Sequence, residues 1–339
     1  MTWEQGIFDL VLAALIIFAL LTGFAYMTYA ERRVVALMQV RLGPNRVGPF
    51  GLLQPLADGI KLLFKEDIVP AQADRPVFTL APMLSLFVSL VAFAVIPFTV
   101  AFSFTVHGTR VSAPGALANV NIGVLYIFAA TSLGVYGIVL GGWASNNKYS
   151  LLGGIRSSAQ IISYELAMTM AVIGVIAITG SLSLGDVVSF QAKHVPNIFW
   201  QPLGFVLYCI AAIAEVNRAP FDLAEAEQEL VAGYHTEYSS FRFAMYFMAE
   251  YINMITVSAF ATTLFLGGPL GPFTIITPWL SGLIWFSIKV AILLFAFIWI
   301  RATLPRVRYD RLMSLGWRWL LPLGLLNIVI TGAVVAFTA

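Results

Sequence analysis

The stretch LVLAALIIFALLTGFAYMTYA (residues 10–30) contains no charged residue. About 20 mostly apolar residues make one helical crossing of a bilayer's hydrocarbon layer. The stretch has no basic segment ahead of it, and further stretches of the same kind follow, so it reads as a retained span and not a cleaved signal. Working outward, charge-free runs recur at 76–109, 111–147, 166–185, 194–214, 251–287 and 319–339. Eight spans are expected, at roughly 8–30, 76–103, 121–143, 157–180, 199–216, 238–266, 279–302 and 318–337. The expected fold class is all-α, a polytopic membrane protein with about eight transmembrane helices and one integral membrane domain over 1–339.

Composition agrees. Only 36 of 339 residues are charged, or 11%, and 60% are hydrophobic; mean hydropathy is +0.88. Soluble domains carry about 25% charged residues. A soluble enzyme, a nucleic-acid binder and a disordered chain are excluded, because a water-soluble globule could not hide this much apolar surface. The single cysteine, Cys209, excludes a disulfide scaffold and a cysteine-held iron–sulfur cluster, and reads as a packing residue. No phosphate-binding glycine motif lies between a strand and a helix.

Eight spans put both termini on one side. The loops at 31–75, 144–156, 217–237 and 303–317, with their flanks, hold 16 of the 19 Lys and Arg residues. The opposite side holds Arg110 and Lys193, and Lys289 falls inside the seventh span. The positive-inside rule places these loops in the cytoplasm, or an organelle's matrix, and both termini outside. A bacterial inner membrane is the favoured location.

Four ionisable groups fall within spans: Glu165, Glu215, Glu250 and Lys289. Such groups are costly in lipid and mark pathways by default. At 1.5 Å per residue, Glu165 lies roughly 12 Å and Glu250 roughly 18 Å from the inner ends of their helices, with Glu215 at the inner mouth of its own and Lys289 near mid-membrane. That ladder suits a proton or water path from the cytoplasm; the alternative is a structural ion pair such as Glu250 with Lys289. His107 and His194 read as solvated loop residues, and His235 as part of a helix start.

Two inner loops stand out. FGLLQPLADGIKLLFKE (50–66) repeats apolar residues at helical spacing, with Gln54, Asp58, Lys61 and Lys65 on the other face. It reads as an amphipathic helix lying at the inner leaflet, either an anchor or a doorway for a lipophilic ligand. The second loop carries Arg218, Asp222, Glu225, Glu227, Glu229 and Glu237. Asp222 and Glu225 fit a helix start. The remaining carboxylates form an acidic patch at the mouth of the Glu215 path, and packed carboxylates raise one another's pKa values, which makes proton exchange near neutral pH feasible.

The stretches ERRVVALMQVRLGPNRVGPFGLLQPLADGIKLLFKE (31–66), GWASNNKYSLLGGIRSSAQIISYE (142–165), AEVNRAPFDLAEAEQELVAGYHTEYSS (214–240), MAEYINM (248–254) and WIRATLPRVRYDRLMSLGW (299–317) resemble one family over nearly the whole chain. That family is the H subunit of NADH–quinone oxidoreductase, the membrane subunit of respiratory complex I equivalent to mitochondrial subunit 1. The resemblance implies a quinone tunnel with helix 50–66 at its entrance, and places Arg32, Arg41, Gln54, Asp58, Lys61, Lys65 and Arg301 near the tunnel and the arm interface. It assigns Glu165, Glu215 and Glu250 to a line of buried acids, and Arg218, Asp222, Glu225, Glu227, Glu229 and Glu237 to a loop coupling quinone reduction to proton movement. Some relatives carry a further acid in the third span, where this chain reads Thr131-Ser132-Leu133.

The resulting expectation is one subunit of a proton-translocating NADH:quinone oxidoreductase. Its substrate is ubiquinone or menaquinone. NADH, FMN and iron–sulfur clusters belong to partner subunits. Those partners are the peripheral-arm subunits of the quinone site and terminal cluster, and small membrane subunits leading to antiporter-like ones. Rival readings are the homologous subunit of a membrane-bound hydrogenase or of a ferredoxin- or F420-linked dehydrogenase, and a free-standing proton or cation transporter.

Overall fold

Helix α1 runs from Trp3 to Met38. At 1.5 Å per residue it is about 54 Å long and overshoots a bilayer's hydrocarbon layer at the end that carries Arg32 and Arg33. The chain is seen in a computed structural model that describes residues 3–106, 109–113, 115–223 and 231–338. After α1 come α2 (Gln54–Phe64), α3 (Arg75–Ala92), strands β1 (Phe102–Val106) and β2 (Thr109–Ala113), α4 (Gly123–Ala144) and α5 (Lys148–Thr179). Then follow α6 (Leu184–Lys193), α7 (Asn197–Trp200), α8 (Pro202–Glu215), α9 (Ser240–Phe265), α10 (Pro278–Thr303), α11 (Tyr309–Ser314) and α12 (Leu321–Thr338).

Among the described residues, seven helical stretches are long and apolar enough to cross a membrane, and α8 is a shorter apolar helix. The fold is all-α and polytopic, and the hairpin is its one described sheet. Leu10, Phe18, Phe87, Ile292 and Val329 are all exposed on the outside of the bundle, as the apolar belt of a membrane protein requires.

Several element bounds differ from the expected spans. The second stops at Val95 instead of 103, because the residue before Pro97 is biased out of the helical region. The chain then forms an antiparallel hairpin pairing Phe102 with Ala113 through Val106 with Thr109. Helix α5 begins at Lys148, nine residues before the expected 157, because the Asn147 side chain caps it by accepting from the Tyr149 N–H at 2.9 Å.

The expected span 199–216 is broken at Gln201, whose φ of −130° and ψ of 54° precede Pro202. Buried amides join this break to neighbouring helices: Asn197 Nδ2 donates to the Leu264 carbonyl at 2.8 Å, and Asn327 Nδ2 to Gln201 Oε1 at 2.8 Å. The last span starts at Tyr309 and widens into a π turn over Leu315–Leu320. Pro322 follows in α12, where its ring would crowd the carbonyl four residues earlier in a regular helix.

Loop contacts sort the helix ends. Asp74 N donates to Ala144 O at 3.2 Å and Val307 N to Pro220 O at 2.9 Å; Ile68 N donates to Ser239 Oγ at 2.9 Å. The four basic loops therefore meet at one end of the bundle. At the opposite end Val124 N donates to Leu182 O, and Ala118 N to Ala94 O, both at 3.0 Å.

The core is a packed set of α3, α4, α5, α8 and α9, with α12 against α5. Glycines let α4 come close: Tyr246 Oη donates to Gly137 O at 3.1 Å, and a Cβ at Gly141 would lie 2.0 Å from Tyr246 Oη. Gly141→Ala is expected to cost about 1–3 kcal/mol through overpacking. Adding Tyr246→Phe, which removes the clashing oxygen, should return part of that loss, as read by thermal unfolding in detergent.

A candidate site between an apolar cleft and a buried acid cavity

Helices α1, α9 and α10 enclose an apolar cleft of about 650 Å³. Phe8, Leu15, Tyr26, Ile255, Phe286 and Leu294 are among its walls. Its α1 wall ends at Ala30, and the next residue, Glu31, lines a small crevice with Arg218 and Arg301. Glu31 is buried, at 8% exposure, and forms an ion pair with Arg301 of α10. Its second oxygen accepts from Tyr251 Oη at 2.6 Å.

The Tyr251 ring lies under the Arg218 guanidinium, whose carbon is 4.2 Å from the ring centroid. Arg218 is itself buried, at 5% exposure, and its Nε lies 2.9 Å from Glu250 Oε1. Glu250 lines a cavity of about 50 Å³ with mixed walls, together with Glu215, Asn217, Asn253, Tyr234 and Tyr246 and apolar residues such as Val135 and Ile161. That volume has room for a few water molecules. One Glu215 oxygen has no hydrogen-bond partner among the described residues, as suits a carboxylate facing such a cavity.

Glu165 of α5 lies within electrostatic reach of Glu215. Ser132 of α4 hydrogen-bonds to its Oε1, and so the hydroxyl in the third span stands next to the ladder acid. Glu165, Glu215 and Glu250 thus gather in one region. Lys289 does not join them. Its ammonium donates to the carbonyls of Leu266, Gly268 and Leu270 at 2.6, 3.0 and 2.5 Å. It therefore ties down the turn after α9, where a cation also meets the negative end of the helix dipole. Glu250 takes Arg218 as its partner, so the alternative pairing of Glu250 with Lys289 is not formed.

The end of α8 and the residues that follow it to Phe221 are held against α5. Gln160 Nε2 donates to Ala214 O at 2.7 Å and Phe221 O at 2.8 Å, and Asn217 Nδ2 to Ser157 Oγ at 3.0 Å. Arg306 pairs with Asp222 at 3.2 Å, and Asn147 Nδ2 donates to Glu237 Oε1 at 2.5 Å. Glu225, Glu227 and Glu229 lie outside the described residues, as does His107. His235 is packed edge-on against Tyr234 and Phe243. In that same cluster Tyr238 stacks on Phe78, and burial raises its phenol pKa to about 12.

Helix α2 carries its polar face towards α1: Gln54 Nε2 donates to Asp58 Oδ1 at 3.0 Å, and Arg32 Nη1 pairs with Asp58 Oδ2 at 2.6 Å. Its apolar residues Leu56, Ile60, Leu63 and Phe64 are exposed. Arg41, Lys61 and Lys65 are exposed at the basic end and stand apart from the Glu31 cluster.

A family model described as NADH dehydrogenase matches residues 11–332. The chain belongs to this family. Curated relatives include the NADH-quinone oxidoreductase H subunit of Thermomicrobium roseum, 54% identical over 343 residues that cover 98% of each chain. The second of the H subunits of Geobacter metallireducens is 54% identical over 337 residues, covering 96% of this chain and 95% of that protein. The Rickettsia bellii counterpart of the same name is 53% identical over 345 residues, covering 98% and 96%.

Two members of the site were missed in the sequence, Glu31 and Tyr251. Glu31 directly follows the charge-free stretch 10–30, and Tyr251 stands beside Glu250. A carboxylate at the very end of an apolar span was the available signal for Glu31. Tyr251 gave none, since an aromatic residue in a span is ordinary.

The Arg218–Glu250 pair makes a stability prediction. Arg218→Met removes the cation beside the Glu250 carboxylate and should cost about 3–5 kcal/mol. The double variant Arg218→Met with Glu250→Leu, which removes both charges, should unfold at a higher temperature than Arg218→Met alone in a detergent melt.

Proposed function

We propose that this chain is the H subunit of a proton-translocating NADH–quinone oxidoreductase, forming part of the quinone path and linking quinone reduction to proton movement. One observation carries the reading. An apolar cleft and a buried acid cavity are joined by the contacts Arg301 to Glu31, Glu31 to Tyr251, Tyr251 to Arg218 and Arg218 to Glu250.

The chemistry follows from the reaction. Reducing a quinone to quinol consumes two electrons and two protons. The substrate, ubiquinone or menaquinone, is lipophilic in its tail and polar in its head. An apolar cleft suits the tail, and ionisable groups suit the head and the protons it takes up. Electrons arrive through partner subunits that hold NADH, FMN and iron–sulfur clusters. The chain's own residues position charge: Arg301 and Glu31 at the end of the cleft, Arg218 and Asp222 in the coupling loop, and Glu250, Glu215 and Glu165 along the relay.

In this reading the amphipathic helix α2 lies at the inner leaflet by the entrance, with Gln54, Asp58, Lys61 and Lys65 on its polar face and Arg32 and Arg41 nearby. A proton-hungry quinone species beside the coupling loop shifts the charge on Glu250 and Glu215, and the acid line passes that change to the small membrane subunits. The exposed cations at the basic end meet the peripheral arm, on the cytoplasmic side of a bacterial inner membrane, and both termini face the periplasm. The names of the relatives favour this over a free-standing transporter.

Glu215→Gln tests the relay. The change is isosteric, so the complex should assemble normally, while quinone-linked NADH oxidation and proton pumping in membrane vesicles both fall by at least about tenfold. Wild-type rates of both in the assembled variant would sink the relay assignment.

A further inference from the structure

We infer that Tyr251 is the positioning residue that transmits a change at the Glu31–Arg301 pair to the Arg218–Glu250 pair. The inference rests on the reading above, that the two pairs take part in quinone turnover. It adds the residue through which they communicate.

The geometry is specific. Glu250 and Tyr251 are neighbours on α9, and consecutive helical residues point about 100° apart. Glu250 faces the acid cavity, while Tyr251 faces α1, with its ring edge-on to Phe24 at 5.7 Å. Arg218 occupies the angle between them and touches both. Tyr251 is buried, at 5% exposure.

That hydroxyl holds the Glu31 oxygen at 2.6 Å, and the ring face holds the guanidinium at 4.2 Å. A hydrogen bond from a neutral hydroxyl to a carboxylate is roughly twice as strong as one between neutral groups. Cation–π attraction is likewise strongest when desolvated. One rigid aromatic side chain therefore touches an anion at its tip and a cation on its face.

The consequence is mechanical and electrostatic. If Glu31 is neutralised or drawn towards a new partner on the cleft side, the hydroxyl loses its anionic acceptor. The tip of the ring then loses one restraint, and the ring face shifts against Arg218 and changes its hold on Glu250. The charge balance at Glu250 changes, at the cavity it lines with Glu215. No bond is made or broken in this step: Tyr251 keeps its proton and acts by position.

The test uses the assembled complex in its membrane, with Tyr251→Phe, Tyr251→Leu, Glu31→Gln and the double variant Tyr251→Phe with Glu31→Gln. Assembly is followed on native gels, and Glu215→Gln is run alongside. Tyr251→Phe keeps the ring and removes only the oxygen. Turnover at saturating quinone should fall about tenfold, the effect of losing one hydrogen bond to a charged group, with the KM for quinone unchanged. Tyr251→Leu, which also removes the ring from Arg218, should fall further.

The double variant should be no slower than the slower of its two single variants, because both interrupt one link. A purely structural tyrosine would instead give losses that multiply, and that result overturns the inference. Wild-type turnover in Tyr251→Phe, with Glu215→Gln impaired, overturns it too and leaves the proposed function standing. Wild-type turnover in every variant removes both. Should Tyr251→Phe fail to assemble, Glu31→Gln interrupts the link from its other side, and its wild-type turnover beside an impaired Glu215→Gln overturns the inference equally.

Discussion

A guanidinium cannot be taken out of water without an anion at hand and an acceptor for its remaining donors. Arg218 is 5% exposed and sits where the chain leaves α8. Its position depends on Glu250 and on the face of Tyr251, and it keeps the chain leaving α8 against the bundle. Gln160 and Ser157 of α5 then hold the end of α8 and the residues just after it, through the Ala214 and Phe221 carbonyls and Asn217. The ionisable residues of the site are arranged around this one buried cation.

Two kinds of packing meet there. On one side α3, α4, α5, α8 and α9 pack closely, with glycines letting tyrosine hydroxyls approach the α4 backbone. On the other side α1 and α10 are joined to α9 more loosely and leave the large apolar cleft between them. A stiff half fixes the acids, and an open half leaves space for a hydrocarbon chain. The Glu31–Arg301 pair lies on the seam, where α1 and α10 are drawn together by charge. In low dielectric such a pair is strong once formed but costly to strand, so a disturbance on one side is felt by its neighbours.

Membrane character and the number of apolar stretches were legible in the sequence because they depend on local composition. The gathering of basic loops at one end was legible for the same reason, since a chain that crosses repeatedly returns its odd loops to one side. Breaks within spans were less so. The hairpin after Pro97 and the interruption at Pro202 follow local backbone rules, yet the apolar run continues through both and hides them. The early start of α5 depended on one Asn147 cap.

The residues that could carry charge inside the membrane were named by the sequence alone, because an ionisable side chain in an apolar run is conspicuous: Glu165, Glu215, Glu250 and Lys289. Which of them share a site was decided only by tertiary structure. Lys289 points to three carbonyls at the end of α9, while Arg218, far from Glu250 in the chain, reaches it through space. Glu31 and Tyr251 joined the site for the same reason, 220 positions apart and in contact. Periodicity and composition fix what each segment is; partner choice among buried charges depends on distances between helices, which no single segment contains.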